Sequence, residues 1–293
     1  MNSILKVVAL SLTLPAALPG QSTPITISYA ERGTNDQMMD VYWPAAKASA
    51  TILFIHGGSL QESGERRTSP AYKNVCTQFV ARGIACATMD YRLAPTSSWP
   101  AMPRDVASAI RTLHDLLAKG KGDPANIFLF GHSSGCHLAA IVATDSTYLR
   151  AVGLSTRDIA GIIPMGCILD RDDATLRGLT PDRIRKPFMS DGQDVATFGT
   201  PENYLAANPA SHLGSHVPPT LIIVADGERF MPPVMEQGAR VVRRLLEYGV
   251  AANLVVVPGK HMSSIEHVSV AGDPAVAAIL RFIEDPKGSA AAH

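Results

Sequence analysis

Eight short apolar runs alternate with helical stretches along most of the chain, and this alternation restricts the fold more than any other feature. Several of the later runs are continuous and rich in Val, Ile and Leu, which is typical of strands buried on both faces of a parallel sheet. The first two runs alternate more and lie close together, as an antiparallel edge pair would. The strand-like runs are 25–30, 38–44, 51–58, 84–92, 126–132, 159–166, 220–226 and 252–259, and the helical candidates lie near 70–82, 103–119, 134–144, 232–248 and 274–284. The sequence therefore predicts an α/β fold with a mostly parallel sheet and helices on both faces.

The composition suits one large α/β domain or two small ones. The chain has 293 residues, of which 46% are hydrophobic, enough for a full core. Its formal net charge is +0 and its pI is near 7.1, which argues against nucleic-acid binding and against a polybasic membrane surface. We therefore expect no nucleic acid among its partners.

The N-terminus has the pattern of a secretory signal peptide, with one lysine, a short apolar run and a small-residue exit. The apolar run 7–14 is too short to span a bilayer and Pro15 ends it, so we expect no stable membrane anchor. The alternative is that this run forms a first strand of the domain. A signal peptide over residues 1–22 predicts a secreted or periplasmic protein whose residues 23–293 form a single domain.

Residues 168–217 break the alternation, because they contain no long apolar strand. Two short helices are predicted there, one beginning at Thr180-Pro181 and one at Thr200-Pro201. In each, threonine is the N-cap and proline occupies the first helical position. We expect a small cap or insertion over the carboxyl edge of the sheet, where ligands bind in open α/β sheets. The alternative is a loose connector.

A candidate nucleophile lies where a strong predicted strand meets a small-residue helix. Ser133 is the central residue of the G-x-S-x-G pattern Gly131–Gly135. A strand-to-helix turn this sharp forces its central residue into strained backbone angles, and the flanking glycines remove Cβ atoms that would clash. The Ser133 hydroxyl would then be exposed at the sheet edge. The alternative is a glycine-rich turn with polar residues.

A serine hydroxyl needs a base, and His261 is the best placed of the nine histidines. It follows the last predicted strand, at the same carboxyl edge as Ser133. His267 is the nearest rival, but lies closer to the last helix. His132 and His137 flank the serine and are expected to pack locally.

The base needs an acid to orient it, placed on a strand end between the serine and the histidine. Asp226 ends a predicted strand, and Glu228 follows two residues later. Asp170, after the preceding strand, is a third candidate. Each can also be a helix cap or a solvated loop charge, so the residues alone leave the choice open.

Acyl transfer also needs hydrogen-bond donors for a developing oxyanion. The strand-like run 51–58 ends in His56-Gly57-Gly58, followed by Ser59, and its two glycines allow the backbone to approach a substrate closely. The backbone amide of Ser134, the first residue of the predicted helix, would add another donor.

The cysteines and the remaining histidines predict no metal site. Their spacing matches no zinc pattern, and the i, i+4 pair His212 and His216 lacks a third ligand. In an exported protein the four cysteines allow three full pairings. Buried free thiols are the default expectation, with a Cys76–Cys86 bridge as the alternative.

Taken together, these motifs resemble the α/β-hydrolase superfamily, particularly its hormone-sensitive-lipase-like esterases and the small feruloyl-esterase and arylformamidase-like enzymes. The resemblance covers roughly residues 35–285. The motifs that carry it, in the family's order, are HGG (56–58), DYRLAP (90–95), GHSSG (131–135), PPTLIIVADGE (218–228) and PGKHMSS (258–264). The chain departs from the esterases in having HGGS for HGGG, and from arylformamidases in lacking an aromatic pair after the glycines.

The resemblance implies the roles of the site residues. Ser133 would be the nucleophile and His261 the general base. The family's acid falls on Glu228 when its strand–Gly-x-x-Asp pattern is laid on this chain, with Asp226 as the alternative. The oxyanion donors map to Gly57, Gly58 or Ser59, together with Ser134. Asp90 and Arg92 would support the oxyanion loop.

The implied function is that of a serine carboxylesterase acting on small esters through an acyl-enzyme. This chemistry needs no metal or organic cofactor. Two alternatives remain open from the sequence: amide or peptide hydrolysis by the same residues, and a non-catalytic ligand-binding protein on the same fold.

Overall fold

An eight-stranded sheet organises the computed structural model, which describes residues 23–31, 33–170, 192–228 and 233–288. The strands are β1 (Ile25–Ser28), β2 (Met38–Tyr42), β3 (Thr51–Ile55), β4 (Ala85–Met89), β5 (Ile127–His132), β6 (Gly161–Met165), β7 (Thr220–Gly227) and β8 (Ala252–Lys260). Their spatial order is β1-β2-β4-β3-β5-β6-β7-β8. The pairs β1–β2 and β2–β4 are antiparallel, and the remaining neighbours are parallel. The predicted mostly parallel sheet with an antiparallel edge pair is confirmed.

Helices cover both faces of this sheet. Those in the described residues are α1 (Thr77–Val80), α2 (Ala101–Leu116), α3 (Ser134–Thr144), α4 (Thr147–Ala151), α5 (Gly192–Phe198), α6 (Pro201–Ala206), α7 (Pro233–Glu247), α8 (His261–Glu266) and α9 (Pro274–Glu284). The long predicted helices are found within a few residues of their expected bounds. None of these helices is long and apolar enough to cross a membrane.

Two apolar cores lie on opposite faces of the central strands, whose residues are fully buried. In β3, Leu53 and Ile55 face one core, while Ile52 and Phe54 face the other. The same alternation holds in β5. Because successive strand residues point to opposite faces, a strand with helices on both sides must be apolar throughout, which explains the continuous apolar runs.

The helix predicted near 70–82 is much shorter in the structure, where α1 covers only Thr77–Val80. The residues before it form successive turns, with i to i+3 hydrogen bonds such as the one from the Val75 amide to the Tyr72 carbonyl. The apolar side chains in this stretch, Tyr72 and Val75, are still buried. Hydrophobic spacing alone therefore did not distinguish a helix from a series of turns.

All four cysteines form disulfides, so the expectation of buried free thiols was wrong. Cys76 pairs with Cys86, as the alternative proposed, with a Cα–Cα separation of 5.4 Å. Cys136 pairs with Cys167 at 5.9 Å. The second pair forms because β5 and β6 are parallel neighbours, so residues that follow their carboxyl ends lie close together.

The described part of residues 168–217 packs on loops that follow the carboxyl ends of the central strands. The Gln61 side chain donates a 2.7 Å hydrogen bond to the Thr197 hydroxyl, and the Trp99 amide donates to the Thr197 carbonyl. The start of α6 is as predicted, because the Thr200 hydroxyl caps the helix and proline follows it. The helix predicted after Thr180 and the predicted signal peptide 1–22 lie outside the described residues.

Candidate active site

The turn from β5 to α3 holds Ser133 in a strained conformation, with φ 54° and ψ −124°. Its amide donates a 3.0 Å hydrogen bond to the Met165 carbonyl at the end of β6. The flanking glycines are needed for space, since a Cβ on Gly135 would meet the carbonyls of Ile55 and His56, and one on Gly131 would meet the Gly135 backbone. The turn therefore presents Ser133 at the carboxyl edge of the sheet and leaves no room for a side chain at positions 131 and 135.

Ser133, His261 and Glu228 form a hydrogen-bonded line. The His261 Nε2 atom lies 3.0 Å from Ser133 Oγ, and its Nδ1 atom lies 2.8 Å from Glu228 Oε1. An ionised carboxylate only accepts hydrogen bonds, so His261 Nδ1 carries the proton and Nε2 is free to accept from the serine hydroxyl. The Glu228 side chain is buried, which strengthens its interaction with the histidine.

The other candidates for base and acid lie elsewhere. Asp226 is exposed and accepts a 2.9 Å hydrogen bond from the Gly259 amide, which holds β7 and β8 together at their carboxyl ends. Asp170 accepts from the Asn208 side chain. His267 is exposed in the turn after α8. Of the three acids considered, the structure places Glu228 beside His261.

The loop after β3 approaches Ser133 closely. A Cβ on Gly57 would lie 2.9 Å from the Ser133 Cβ and 2.7 Å from the Tyr72 hydroxyl, so only glycine fits there. Gly58, Ser59 and Leu60 follow with positive φ values of 108°, 59° and 61°. Glycine adopts this region freely, but Ser59 and Leu60 are strained there, and such strain is typical of binding loops, where the surrounding structure maintains it.

Two ion pairs lie near this loop. Asp90 accepts hydrogen bonds from the Arg67 amide and guanidinium, and lies 3.5 Å from His56 Nε2. Burial lowers the pKa of His56 to about 4, so this residue is neutral near pH 7. Arg92 instead pairs with Asp105 of α2, at 2.7 Å. Asp90 therefore anchors the segment around Arg67, which follows the glycine loop, and Arg92 anchors α2.

His132 has contacts that the sequence did not indicate. Its Nδ1 lies 2.9 Å from the Tyr72 hydroxyl, and its Nε2 lies 2.9 Å from the backbone carbonyl of His261. Burial lowers the pKa of His132 to about 3, with the neighbouring His261 acting in the same direction. The expectation of local packing was incomplete, because His132 contacts a residue 129 positions away.

The described residues contain no group of three His, Cys, Asp or Glu side chains that could hold a metal ion. His212 and His216, the pair with metal-like spacing, bond to the backbone carbonyls of Ala206 and Thr144 instead. His137 likewise bonds to the Ala207 carbonyl. These histidines anchor loops within the described part of the chain.

Comparison with known proteins decides the family. The family model described as BD-FAE matches residues 39–243, more than half of the chain. The chain belongs to the BD-FAE family. The matched region of this BD-FAE member includes the glycine loop after β3, the serine turn and Glu228, whereas His261 follows it.

Curated relatives of this BD-FAE member include an esterase and an ethyl acetate hydrolase by name, and also the gibberellin receptor GID1 of rice. Esterase LipC of Mycobacterium tuberculosis is 28% identical over 220 residues, which cover 71% of this chain and 52% of LipC. The ethyl acetate hydrolase of Pseudomonas putida is 25% identical over 223 residues, 73% of this chain and 65% of that protein. The chain thus matches between half and two thirds of the length of LipC and of the ethyl acetate hydrolase.

Solved structures confirm the α/β-hydrolase fold of this BD-FAE member. A truncated carbohydrate esterase from gut microbiota superimposes with a TM-score of 0.70 and 19% identity, covering 92% of this chain and 97% of the other. At that identity the likeness concerns the fold alone.

Proposed function

We propose that this protein is a serine carboxylesterase that cleaves small esters through an acyl-enzyme. The observation that carries the proposal is the line of hydrogen bonds from Ser133 through His261 to the buried Glu228. The names of two curated relatives, Esterase LipC and the ethyl acetate hydrolase, support the choice of ester over amide substrates.

In the proposed mechanism the Ser133 hydroxyl attacks the ester carbonyl carbon while His261 Nε2 takes its proton. Glu228 stabilises the imidazolium that forms. His261 then gives the proton to the leaving alcohol, which departs and leaves Ser133 acylated. A water molecule, deprotonated by His261, attacks the acyl carbon, and the carboxylic acid leaves as Ser133 regains its proton.

The tetrahedral intermediates carry a negative oxygen that needs donors. We assign these to backbone amides of the glycine loop, Gly57 to Ser59, and to the amide of Ser134 at the start of α3. The close approach of Gly57 to Ser133 and the N-terminal position of Ser134 in the helix support this assignment. Each such donor contributes roughly 3 kcal/mol to the transition state.

The two adjacent serines give the test of the proposed function. Ser133→Ala removes the nucleophile, so we expect kcat on p-nitrophenyl acetate to fall by on the order of 10⁶-fold. Ser134→Ala keeps the backbone amide, so we expect it to retain most of the activity. Initial rates on p-nitrophenyl acetate and on the matched anilide measure both variants and the ester preference. Full activity in Ser133→Ala would refute the proposal.

We further propose that the protein is secreted or periplasmic. The N-terminal signal-peptide pattern supports this, and so do the two disulfides, since such bonds persist in oxidising compartments. Fractionation of cells that express the full chain, with N-terminal sequencing of the product, would test it. Cleavage near residue 22 is the expected result, and an intact cytoplasmic product would contradict the proposal.

A further inference from the structure

His132 and Tyr72 form a hydrogen-bonded network between the glycine loop after β3 and the start of α8. His132 precedes the nucleophile and Tyr72 lies in the turns before α1, and their exposed fractions are 0% and 1%. One hydrogen bond joins the Tyr72 hydroxyl to His132 Nδ1 and another joins His132 Nε2 to the His261 carbonyl, each 2.9 Å long. At the other end of the network the Tyr72 hydroxyl lies against Gly57 of the loop after β3.

The partners determine the direction of both hydrogen bonds. The carbonyl of His261 only accepts, so the Nε2 atom of His132 must carry the hydrogen. A neutral imidazole then has no hydrogen on Nδ1, so Tyr72 must donate its hydroxyl hydrogen there. The low pKa of His132, about 3, is consistent with this neutral form. Tyr72 therefore selects the tautomer in which His132 can bind the His261 backbone.

We propose that His132 and Tyr72 are positioning residues that hold His261 at the correct distance from Ser133. This inference rests on the proposed function and adds two residues to it. His261 is the first residue of α8, directly after β8. The Ser264 hydroxyl also donates to the His261 carbonyl, but it belongs to the same short helix. Among the hydrogen bonds that reach this carbonyl, the one from His132 ties the helix to the strand that carries Ser133.

The position of the His261 ring depends on this hydrogen bond. The ring centroids of His132 and His261 are 4.8 Å apart, so His132 also packs against the face of the general base. Removing His132 would leave the partly buried His261 carbonyl without this donor and would open space beside the His261 ring. Displacement of a catalytic group by about 1 Å costs on the order of 10²-fold in rate.

The test uses the full chain and three variants, assayed with p-nitrophenyl acetate and corrected by burst titration of active sites. We expect His132→Leu to lower kcat per active site by on the order of 10²-fold with little change in KM. His132→Gln keeps a side-chain N–H donor near the Nε2 position and should recover a large part of kcat. Tyr72→Phe removes the hydrogen bond to Nδ1 and should lower kcat by up to about tenfold.

His137→Leu is the matched control. His137 is also buried beside the nucleophile and bonds to a backbone carbonyl, but that carbonyl belongs to Ala207 and not to His261. Its loss should lower the melting temperature while leaving kcat per titrated site close to that of the wild type.

The outcomes distinguish the positioning roles of His132 and Tyr72 from the proposed function. An active wild type with unchanged kcat in both His132→Leu and Tyr72→Phe would overturn the positioning roles and leave the proposed function standing. An equal fall of kcat in His137→Leu would also overturn them, since it would reflect general packing. If His132→Leu fails to fold, Tyr72→Phe still decides, because unchanged kcat in that variant would overturn the positioning roles. A wild type that neither hydrolyses the ester nor shows a burst would refute the proposed function itself.

Discussion

Ser133 and Ser134 are neighbours in sequence but differ in backbone conformation. Ser133 has φ 54° and ψ −124°, while Ser134 begins α3. A non-glycine residue in such a conformation costs about 1–3 kcal/mol, which the surrounding packing must offset. This cost is understandable if the hydroxyl of Ser133, and not that of Ser134, has to be reached by a substrate and by His261.

Substitutions of the two acids near the end of β7 should differ in their effect on kcat. Glu228→Gln removes the charge that stabilises a protonated His261, so we expect kcat to fall by about 10³–10⁴-fold. Asp226→Asn keeps an oxygen that can accept from the Gly259 amide at an exposed position, so kcat should stay within about twofold. Steady-state kinetics on p-nitrophenyl acetate would check both. The reverse order of effects would assign the acid to Asp226.

Ser133 and His261 were identifiable from the sequence because each follows a strong strand at a carboxyl end. The residues alone left the acid open between Asp226 and Glu228, because only Gly227 separates them, and the family resemblance placed it on Glu228. The role of His132 was missed. Its partners lie 60 and 129 positions away, and a histidine within a serine motif carries no local signal for either contact.

At the scale of secondary structure elements, the Cys136–Cys167 disulfide joins α3 to the segment after β6. That segment backs the site, because a Cβ on Gly166 would lie 3.0 Å from Glu228 Oε2 and 3.4 Å from His261 Nδ1. The disulfide therefore restrains the nucleophile helix and the support of the acid and base together.

The two disulfides should differ in their effect on stability. Cys136 and Cys167 are 31 residues apart, and Cys76 and Cys86 are 10 apart. Closing a longer loop restricts the unfolded chain more, so we expect the double alanine variant of the first pair to lose about 3–4 kcal/mol of unfolding free energy. The variant of the second pair should lose about 1 kcal/mol less. Urea unfolding of both variants measures the difference, and a larger loss for Cys76–Cys86 would contradict the expectation.

Strands were predicted more reliably than the helix before β4. Continuous apolar runs are required wherever a strand is covered on both faces, so the eight strands could be located from the sequence. Around residues 70–82 the burial of Tyr72 and Val75 imitates a helical pattern although turns form most of the stretch. Hydrophobic periodicity reports which side chains are buried and does not report the backbone hydrogen bonds.

At the scale of the whole molecule, two fully buried histidines make stability depend on pH. The pKa of His56 is lowered to about 4 and that of His132 to about 3, mainly by burial. Between pH 6.5 and about 4 both take up protons in the unfolded chain and remain neutral in the folded one. Stability is therefore present above pH 6.5 and is lost as the pH falls through this window, by up to about 1.4 kcal/mol per pH unit for each histidine.

Urea unfolding at pH 7.5, 6 and 5 checks this prediction. The free energy of unfolding should fall with decreasing pH, and the slope should be smaller in His132→Gln, which has one such histidine fewer. A free energy that stays constant or rises as the pH falls would contradict it.

The proposed mechanism requires that Ser133 becomes covalently acylated with His261 as its base. The most direct measurement is mass spectrometry of the protein after reaction with a fluorophosphonate probe, followed by mapping of the modified peptide. We expect one adduct per chain on Ser133, none in Ser133→Ala and slow formation in Glu228→Gln. An adduct on another residue, or a wild type that hydrolyses esters without forming any adduct, would contradict it.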